Sequence, residues 1–355
     1  MATSIKGRGA LSQPPGRFDK LTKTLEHDGW YEEEEPNKHE TIVLPEPARS
    51  VISRNKSPDI HFEASINPYR GCAHACIYCY ARPSHAYVGL SPGLDFETRL
   101  FYKADAARIL EAELNAKNYQ CRPLMLGANT DPYQPIEKVH KVTRSVLEVL
   151  LRYKHPVNIT TKGALVARDV DLLAEFARDG LVRVMFSIPT LDNDLKRVLE
   201  PRAASAVARL KAMRVLSDAG VPVGVLVAPI IPVLTEHEIE AVLEASREAG
   251  ASVAGYTLLR LPWEVKDLFR EWLAEHFPDR AAHVMSILRA MRGGRDNDPQ
   301  FGTRMHATGP VAALIRQRFR LARRKLGYPD EHGAGLPTHL FRPPLSTPPQ
   351  LSLDL

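Results

Sequence analysis

Short apolar runs alternate with amphipathic stretches along most of this chain, and that alternation limits the folds open to it. The runs are rich in Val, Ile and Leu, as expected of strands buried on both faces. Repeated strand–helix units predict a parallel sheet with right-handed crossovers, either a partial barrel or a doubly wound open sheet. The predicted strands are 66–71, 122–127, 156–161, 181–188, 221–228 and 252–259, and the predicted helices are 103–115, 137–153, 168–179, 202–219 and 235–249.

Three of the four cysteines lie within eight residues, in the spacing C-x3-C-x2-C: Cys72, Cys76 and Cys79. A structural zinc site usually takes four ligands in two separated pairs, and a four-iron cluster normally takes four cysteines. Three thiolates can hold three irons of such a cluster and leave the fourth iron open to another ligand. The spacing therefore favours an iron–sulfur cluster that binds and activates a molecule.

Other uses of these cysteines remain open at this point. Reduced thiols are often small core side chains, and a zinc ion could combine the three thiols with His74, His85 or Cys121. In that alternative the chain would be a non-catalytic, zinc-containing nucleic-acid-binding protein. Four cysteines in 355 residues are too few for the disulfide framework of a secreted domain.

The cysteine spacing, the preceding INPYRG segment and the aromatic Tyr78 before the third cysteine resemble the radical S-adenosylmethionine (SAM) superfamily. The resemblance implies an α/β fold, a partial (β/α)6 TIM-like barrel. It also implies a [4Fe-4S] cluster on Cys72, Cys76 and Cys79, whose open iron chelates SAM. The implied reaction is reductive cleavage of SAM to a 5′-deoxyadenosyl radical, with an external one-electron reductant of flavodoxin or ferredoxin type. In such enzymes the protein orients the cofactor and excludes water and oxygen.

The resemblance also indicates which residues would contact SAM, because sites in such barrels lie at the carboxyl ends of the strands. Tyr78 would lie near the adenine, Lys162 would neutralise the carboxylate of SAM, and Ser187 would bind its ribose. The amino group would be bound after the second strand, by Asn129, Thr130 and Asp131. Considered without the family, this Asn-Thr-Asp-Pro segment is a turn that leads into a helix.

The segments TDPYQPIE (130–137) and EPRA (200–203) most resemble the spore photoproduct lyase-like branch of the family, the DNA repair photolyase homologues. That lyase carries a cysteine at the end of its second strand, which returns a hydrogen atom to the product radical. The equivalent position here is near Ala128, and the spare thiol of Cys121 falls at the opposite end of the strand. We therefore expect no true spore photoproduct lyase activity.

Positive charge is concentrated near the carboxyl terminus. Residues 276–328 contain ten arginines and one lysine against three aspartates, a net charge of +8, whereas the whole chain carries +5. Residues 309–328 predict an amphipathic helix with the arginines mostly off its apolar stripe of Val311, Ile315, Phe319, Ala322 and Leu326. A basic face of this kind can contact phosphates and predicts DNA or RNA as the substrate, although a solvated face or a helix that buttresses the barrel would have the same pattern.

These features divide the chain into four predicted parts. They are an N-terminal extension (1–60), a radical SAM partial barrel (61–275), a basic helical C-terminal extension (276–328) and a disordered tail (329–355). Within the first part, TIVLPEPARSVISR (41–54) predicts a short hairpin.

The sequence also predicts a cytoplasmic protein. No apolar run follows Met1, so no secretory signal is expected. The most apolar stretch, 223–234, is 12 residues long and is broken by Pro229 and Pro232, which is too short and too interrupted to span a bilayer.

Overall fold

The structure is a computed structural model that describes residues 5–19, 40–329 and 335–343. The described strands are β1 (Ile42–Pro45), β2 (Ile52–Arg54), β3 (Ala64–Ile66), β4 (Tyr69–Arg70), β5 (Arg99–Tyr102), β6 (Leu124–Leu126), β7 (Val157–Thr161), β8 (Val182–Ser187), β9 (Val223–Ile230) and β10 (Val253–Leu258).

The larger of two sheets has the strand order β2-β3-β6-β7-β8-β9-β10. From β3 to β10 every neighbouring pair is parallel, and β2 adds an antiparallel edge. The order never reverses, whereas a doubly wound sheet changes direction at a switch point. Six consecutive parallel strands therefore confirm the predicted partial barrel, and the sheet remains open between β10 and β2.

Helices cover the outer face of this sheet. The described α-helices are α1 (Asp95–Thr98), α2 (Ala106–Leu114), α3 (Glu137–His140), α4 (Val142–Arg152), α5 (Val170–Arg178), α6 (Asn193–Leu199), α7 (Ala206–Asp218), α8 (Ile239–Glu248), α9 (Val265–His276), α10 (Pro278–Ala290) and α11 (Gly309–Lys325). Neighbours in the series α2, α4, α5, α7, α8 and α11 pack against one another and bury the strand side chains beneath them. The apolar stripe of each helix faces inward, as the amphipathic pattern predicts.

Two predictions about the first strands are wrong. Residues 66–71 do not form one strand, because β3 belongs to the larger sheet and β4 to a smaller sheet with the order β1-β5-β4. The predicted hairpin at 41–54 does not form either, since β1 pairs in parallel with β5 and β2 pairs with β3. Partners elsewhere in the chain gave each segment a sheet edge to join, whereas an isolated two-stranded hairpin is only marginally stable.

The helix α11 has the predicted apolar stripe and lies along the outer wall of the barrel. Its Phe319 ring packs 4.6 Å from the ring of Tyr256 on β10, and its Arg318 pairs with Glu240 on α8. The helix thus buttresses the last strand, and Arg316, Arg320 and Arg324 are exposed.

Part of the predicted disordered tail is packed instead. Phe341 lies against the rings of Tyr119, Tyr153 and His155, and the backbone N–H of Arg342 donates to the carbonyl oxygen of Tyr153 at 3.1 Å. The rest of that tail, 330–334 and 344–355, lies outside the described residues. Within the described ranges, no helix is both long and apolar enough to cross a membrane.

Candidate active site

The three motif cysteines lie on one tightly anchored loop that follows β4. The backbone N–H of Cys72 donates to Phe96 O at 2.9 Å, and that of Ile77 donates to Leu199 O at 3.2 Å. Gly71 opens the loop with φ of 71°, where a Cβ would lie 2.9 Å from Phe96 O. Loop backbone fixed at several points holds its side chains in one arrangement, as a preformed site requires.

All three cysteines are free thiols, two of them buried to 7% exposure. Burial, followed by the Glu200 carboxylate, raises the pKa of the Cys76 thiol well above its ordinary value. Burial and the neighbouring Cys72 raise the pKa of Cys79 to about 11. Metal groups bind cysteine as the thiolate, so a metal group held by this loop would displace protons from these thiols.

A second cluster of polar groups lies beside the loop, at the carboxyl ends of β7 and β8. Lys162 follows β7, and its Nζ lies 2.5 Å from Ser187 Oγ at the end of β8 and 3.1 Å from Glu200 Oε1. Tyr78 from the cysteine loop donates its hydroxyl hydrogen bond to the same Glu200 oxygen. Three residues predicted from separate parts of the sequence therefore form one network, in which Tyr78 and Lys162 bind Glu200 and Ser187 contacts Lys162.

Glu200 is fully buried and pairs with two cations. Arg209 on α7 binds its other carboxylate oxygen, and the Arg209 Nη1 also donates to Ser187 O at 2.6 Å. Burial by itself raises the pKa of Glu200, but Arg209 and Lys162 outweigh it and lower the pKa to about 2. The carboxylate is thus charged, and it fixes Lys162 and Tyr78 at the edge of the barrel mouth.

Asp131 joins the second strand end to the cysteine loop. Its carboxylate accepts from Thr161 Oγ1 at 2.7 Å and from the Lys162 backbone N–H at 2.6 Å, and it lies 3.4 Å from His74 Nδ1. Burial by itself lowers the pKa of His74, but Asp131 and Cys72 outweigh it and raise the pKa to about 9. Asp131 therefore organises three segments of the site.

The other two predicted residues after β6 differ in accessibility. Thr130 is buried, and its hydroxyl donates to Tyr69 O at 2.9 Å. Asn129 is half-buried, with its amide nitrogen 3.4 Å from Ser84 Oγ and its backbone N–H on Asn67 Oδ1. Among Asn129, Thr130 and Asp131, the side chain of Asn129 makes the longest hydrogen bond.

Comparison with known proteins identifies the family to which this arrangement belongs. A family model described as the radical SAM superfamily matches residues 66–245, about half of the chain. The chain belongs to the radical SAM superfamily. Among its relatives, the uncharacterized protein Rv2578c of Mycobacterium tuberculosis is 34% identical over 66% of this chain and 71% of that protein. The uncharacterized protein MJ0683 of Methanocaldococcus jannaschii is 29% identical over 54% of this chain and 68% of its own length.

Solved structures of radical SAM proteins share the fold. One variant of spore photoproduct lyase superposes with a TM-score of 0.56 and 17% identity, covering 80% of this chain and 79% of the lyase chain. A double variant of the lyase with bound AdoMet and dinucleoside spore photoproduct gives 0.52 and 16%, covering 80% and 78%. At these identities the likeness shows the fold, and it agrees with the resemblance to the spore photoproduct lyase-like branch. The chain is an enzyme of the radical SAM class, and that family implies SAM and an iron–sulfur cluster as cofactors.

The donor set fits the radical SAM cofactors better than a single metal ion. In the part of the chain that the structure describes, no three His, Cys, Asp or Glu side chains stand together as ligands of one ion. A four-iron cluster puts each thiolate on a separate iron, so its ligands do not need to converge on one point. The three thiols lie on one buried loop, and Lys162 and Ser187 lie beside it at strand ends. This arrangement suits a cluster with a charged small molecule next to it.

Sequence reasoning missed two residues of this site. Glu200 entered only as part of the EPRA segment, and Arg209 was not identified. The signal for Arg209 is its position on the buried stripe of α7, between Ala206 and Met213. An arginine on the apolar face of a helix needs a buried carboxylate partner, and that requirement could have pointed to Glu200.

Proposed function

We propose that this radical SAM enzyme holds a [4Fe-4S] cluster on Cys72, Cys76 and Cys79 and binds SAM at the adjoining strand ends. The observation that carries the proposal is that Glu200 binds both Tyr78, from the cysteine loop, and Lys162, whose Nζ also contacts Ser187. A site that joins the cysteine loop to two strand ends is what a ligand spanning cluster and barrel requires. In the alternative, a zinc-containing nucleic-acid-binding protein, these strand-end contacts would have no function.

We assign the contacts to SAM by charge and hydrogen-bonding capacity. The ammonium of Lys162 is 16% exposed and can pair with the carboxylate of SAM. Ser187 can bind the ribose hydroxyls, and the Tyr78 ring, 5.5 Å from Lys162 Nζ, would face the adenine. Asn129 would bind the amino group, with Thr130 and Asp131 holding the segment that presents it.

When bound, such a cluster supplies the electron that cleaves SAM reductively into methionine and a 5′-deoxyadenosyl radical. The chain's own residues would orient SAM and keep water out, because Tyr78, Glu200 and Arg209 are buried beside Lys162 and Ser187.

An anaerobic assay tests this proposal. Protein reconstituted with iron and sulfide is reduced with dithionite in the presence of SAM, and 5′-deoxyadenosine and methionine are quantified by chromatography. We expect slow formation of both products without substrate, and acceleration by the right member of a panel of DNA, RNA and protein. Protein that carries a cluster but never forms 5′-deoxyadenosine would contradict the proposal.

For the substrate, we propose a nucleic acid, supported by the charge of residues 276–328 and by the surroundings of the barrel mouth. Arg304 lies 4.4 Å from the ring of Phe301, which is 63% exposed. Arg260, which follows β10, lies near both Arg304 and Tyr80. Burial and the charge of Arg304 lower the pKa of Arg260, and Tyr80 acts in the opposite direction. Arginines interleaved with exposed aromatic rings are typical of surfaces that bind single-stranded nucleic acid.

Repair of thymine photoproducts is not expected. Ala128 lies just past β6 and offers no S–H, while Cys121 lies before the start of β6. The absence of photoproduct repair therefore stays a prediction, which concerns Cys121 as the spare thiol that could return a hydrogen atom.

A further inference from the structure

An N-terminal segment outside the barrel lies directly on the cysteine loop. We call residues 5–19 the N-terminal strap. Its residues Gly9, Ala10 and Leu11 are buried, and Ala10 belongs to the apolar cluster that contains Cys76, Ile77 and Tyr78. The family model begins at residue 66, so the strap is a feature of this chain beyond the matched region.

The fit between strap and loop is tight at one glycine. A Cβ on Gly9 would lie 2.0 Å from Ala75 O and 3.2 Å from Ile77 N. Ala75 itself has φ of 60°, a left-handed conformation that costs a residue with a side chain about 1 kcal/mol or more. The strap therefore covers a strained residue between the first two motif cysteines, at a distance that only glycine allows.

A buried ion pair connects the strap to the same loop from the other side. The Glu97 carboxylate accepts from the backbone N–H groups of Gly9 at 3.0 Å and Ala10 at 2.8 Å. It also pairs with Arg82, whose Nε donates to Cys76 O at 2.9 Å. Both charged side chains are fully buried. Loss of the strap would leave part of this carboxylate without donors, which is costly in a dry interior.

The far end of the strap is held at the barrel mouth. Ser91 Oγ donates to Pro14 O at 2.6 Å, and Ser12 O would collide with a Cβ on Gly93 at 2.2 Å. The Arg17 guanidinium lies 4.3 Å from the ring centroid of Trp263. The strap thus runs from the cysteine loop to the loop after β10 and is fastened at both ends.

We propose that the N-terminal strap is part of the cluster site, with Gly9 and Ala10 positioning the backbone of the cysteine loop and closing it to water and oxygen. The proposal rests on the assignment of a cluster to this loop. Gly9 is the positioning residue that allows contact with Ala75, and Glu97 is the residue that holds the strap in place.

The test compares Gly9→Ala with Gly335→Ala, a change of the same kind at an exposed glycine outside the strap, with nothing within 4 Å of its Cβ and a φ outside the left-handed range. Hydrogen exchange on the cluster-free proteins measures protection of the amides at 9–10 and 75–77. Iron content and the loss of visible absorption in air are then measured on the reconstituted proteins. We expect Gly9→Ala to lose protection at both segments and to bleach about tenfold faster than wild type, equivalent to ~1.4 kcal/mol in the opening of the strap.

Gly335→Ala should bleach at close to the wild-type rate. Equal bleaching and equal exchange in Gly9→Ala and wild type would overturn the role of the strap. A wild-type protein that binds no iron would instead overturn the cluster assignment, so the two failures are distinguishable. If Gly9→Ala does not fold, Ser91→Ala loosens the strap at Pro14 and is measured in the same way, with faster bleaching supporting the proposal and an unchanged rate contradicting it.

Discussion

The Nζ of Lys162 lies 3.1 Å from Oε1 of Glu200. This contact joins the carboxyl end of β7 to the segment that follows β8. Glu200 also holds Tyr78 of the cysteine loop and Arg209 of α7. This carboxylate is therefore the common anchor of the cysteine loop and the proposed SAM pocket.

Removal of the strand-end donors should weaken SAM binding. We expect Lys162→Ala and Ser187→Ala each to raise the dissociation constant for SAM by a factor equivalent to about 1–3 kcal/mol, the usual effect of losing a hydrogen bond to a charged or buried group. Isothermal titration with the reconstituted protein measures it. Lys154→Ala, which removes a surface pair with Asp179 before β7 begins, is the control. Wild-type affinity in both strand-end variants would show that SAM binds elsewhere.

The Glu200 pair should be required for stability. Glu200→Gln leaves the buried Arg209 without its counter-charge, and breaking a buried pair in this way typically costs about 3–5 kcal/mol of unfolding free energy. Glu240→Gln removes the half-exposed partner of Arg318 on the surface and should cost less than about 1 kcal/mol. Urea unfolding of the two variants gives the comparison, and similar losses in both would refute the anchoring role of Glu200.

A buried histidine should make the protein sensitive to mild acid. Burial lowers the pKa of His155 to about 4 from its ordinary 6.5. Its ring accepts from Tyr119 Oη at 2.7 Å and donates to Pro156 O, so the folded state holds it neutral. The unfolded chain therefore binds this proton first, and the stabilisation present above pH 6.5 is lost as the pH falls toward 4.

We expect His155→Gln to flatten that dependence. The stability advantage of wild type over the variant should shrink by up to about 3 kcal/mol between about pH 7.5 and pH 4. Urea unfolding at a series of pH values measures the difference, and parallel curves for the two proteins would argue against a neutral buried His155.

Nucleic-acid binding should depend on salt through the basic C-terminal region. Neutralising Arg316, Arg320, Arg323 and Arg324 to Gln should weaken binding uniformly across sequences. The salt slope should fall by up to about one unit for each of these arginines that binds a phosphate. Fluorescence anisotropy with single-stranded DNA and RNA over a salt series provides the measurement.

The barrel mouth can be tested separately with the same assay. Phe301→Ala removes a ring that is 63% exposed and should cost about 1–3 kcal/mol of binding if bases stack there. Leu321→Ala, at an exposed position on α11, is the control. Absent or salt-independent binding by the intact protein would contradict a nucleic-acid substrate.

Much of the fold could be predicted from local patterns, and the errors have physical causes. The strands β6 to β10 each place Val, Ile or Leu side chains in the buried core, so their positions follow from composition and length. The hairpin at 41–54 was wrong because pairing with β5 and β3 depends on contacts far along the chain. The Glu200–Arg209 pair and the fit of Gly9 on Ala75 are likewise tertiary contacts, and no local pattern in the sequence indicates them.

The iron and sulfide content of the purified protein tests the central claim most directly. After anaerobic reconstitution, wild type and Cys121→Ala should each hold about four irons and four sulfides per chain, as a four-iron cluster requires. The triple variant Cys72→Ala, Cys76→Ala and Cys79→Ala should hold neither. A full cluster in the triple variant, with loss only in Cys121→Ala, would contradict the account.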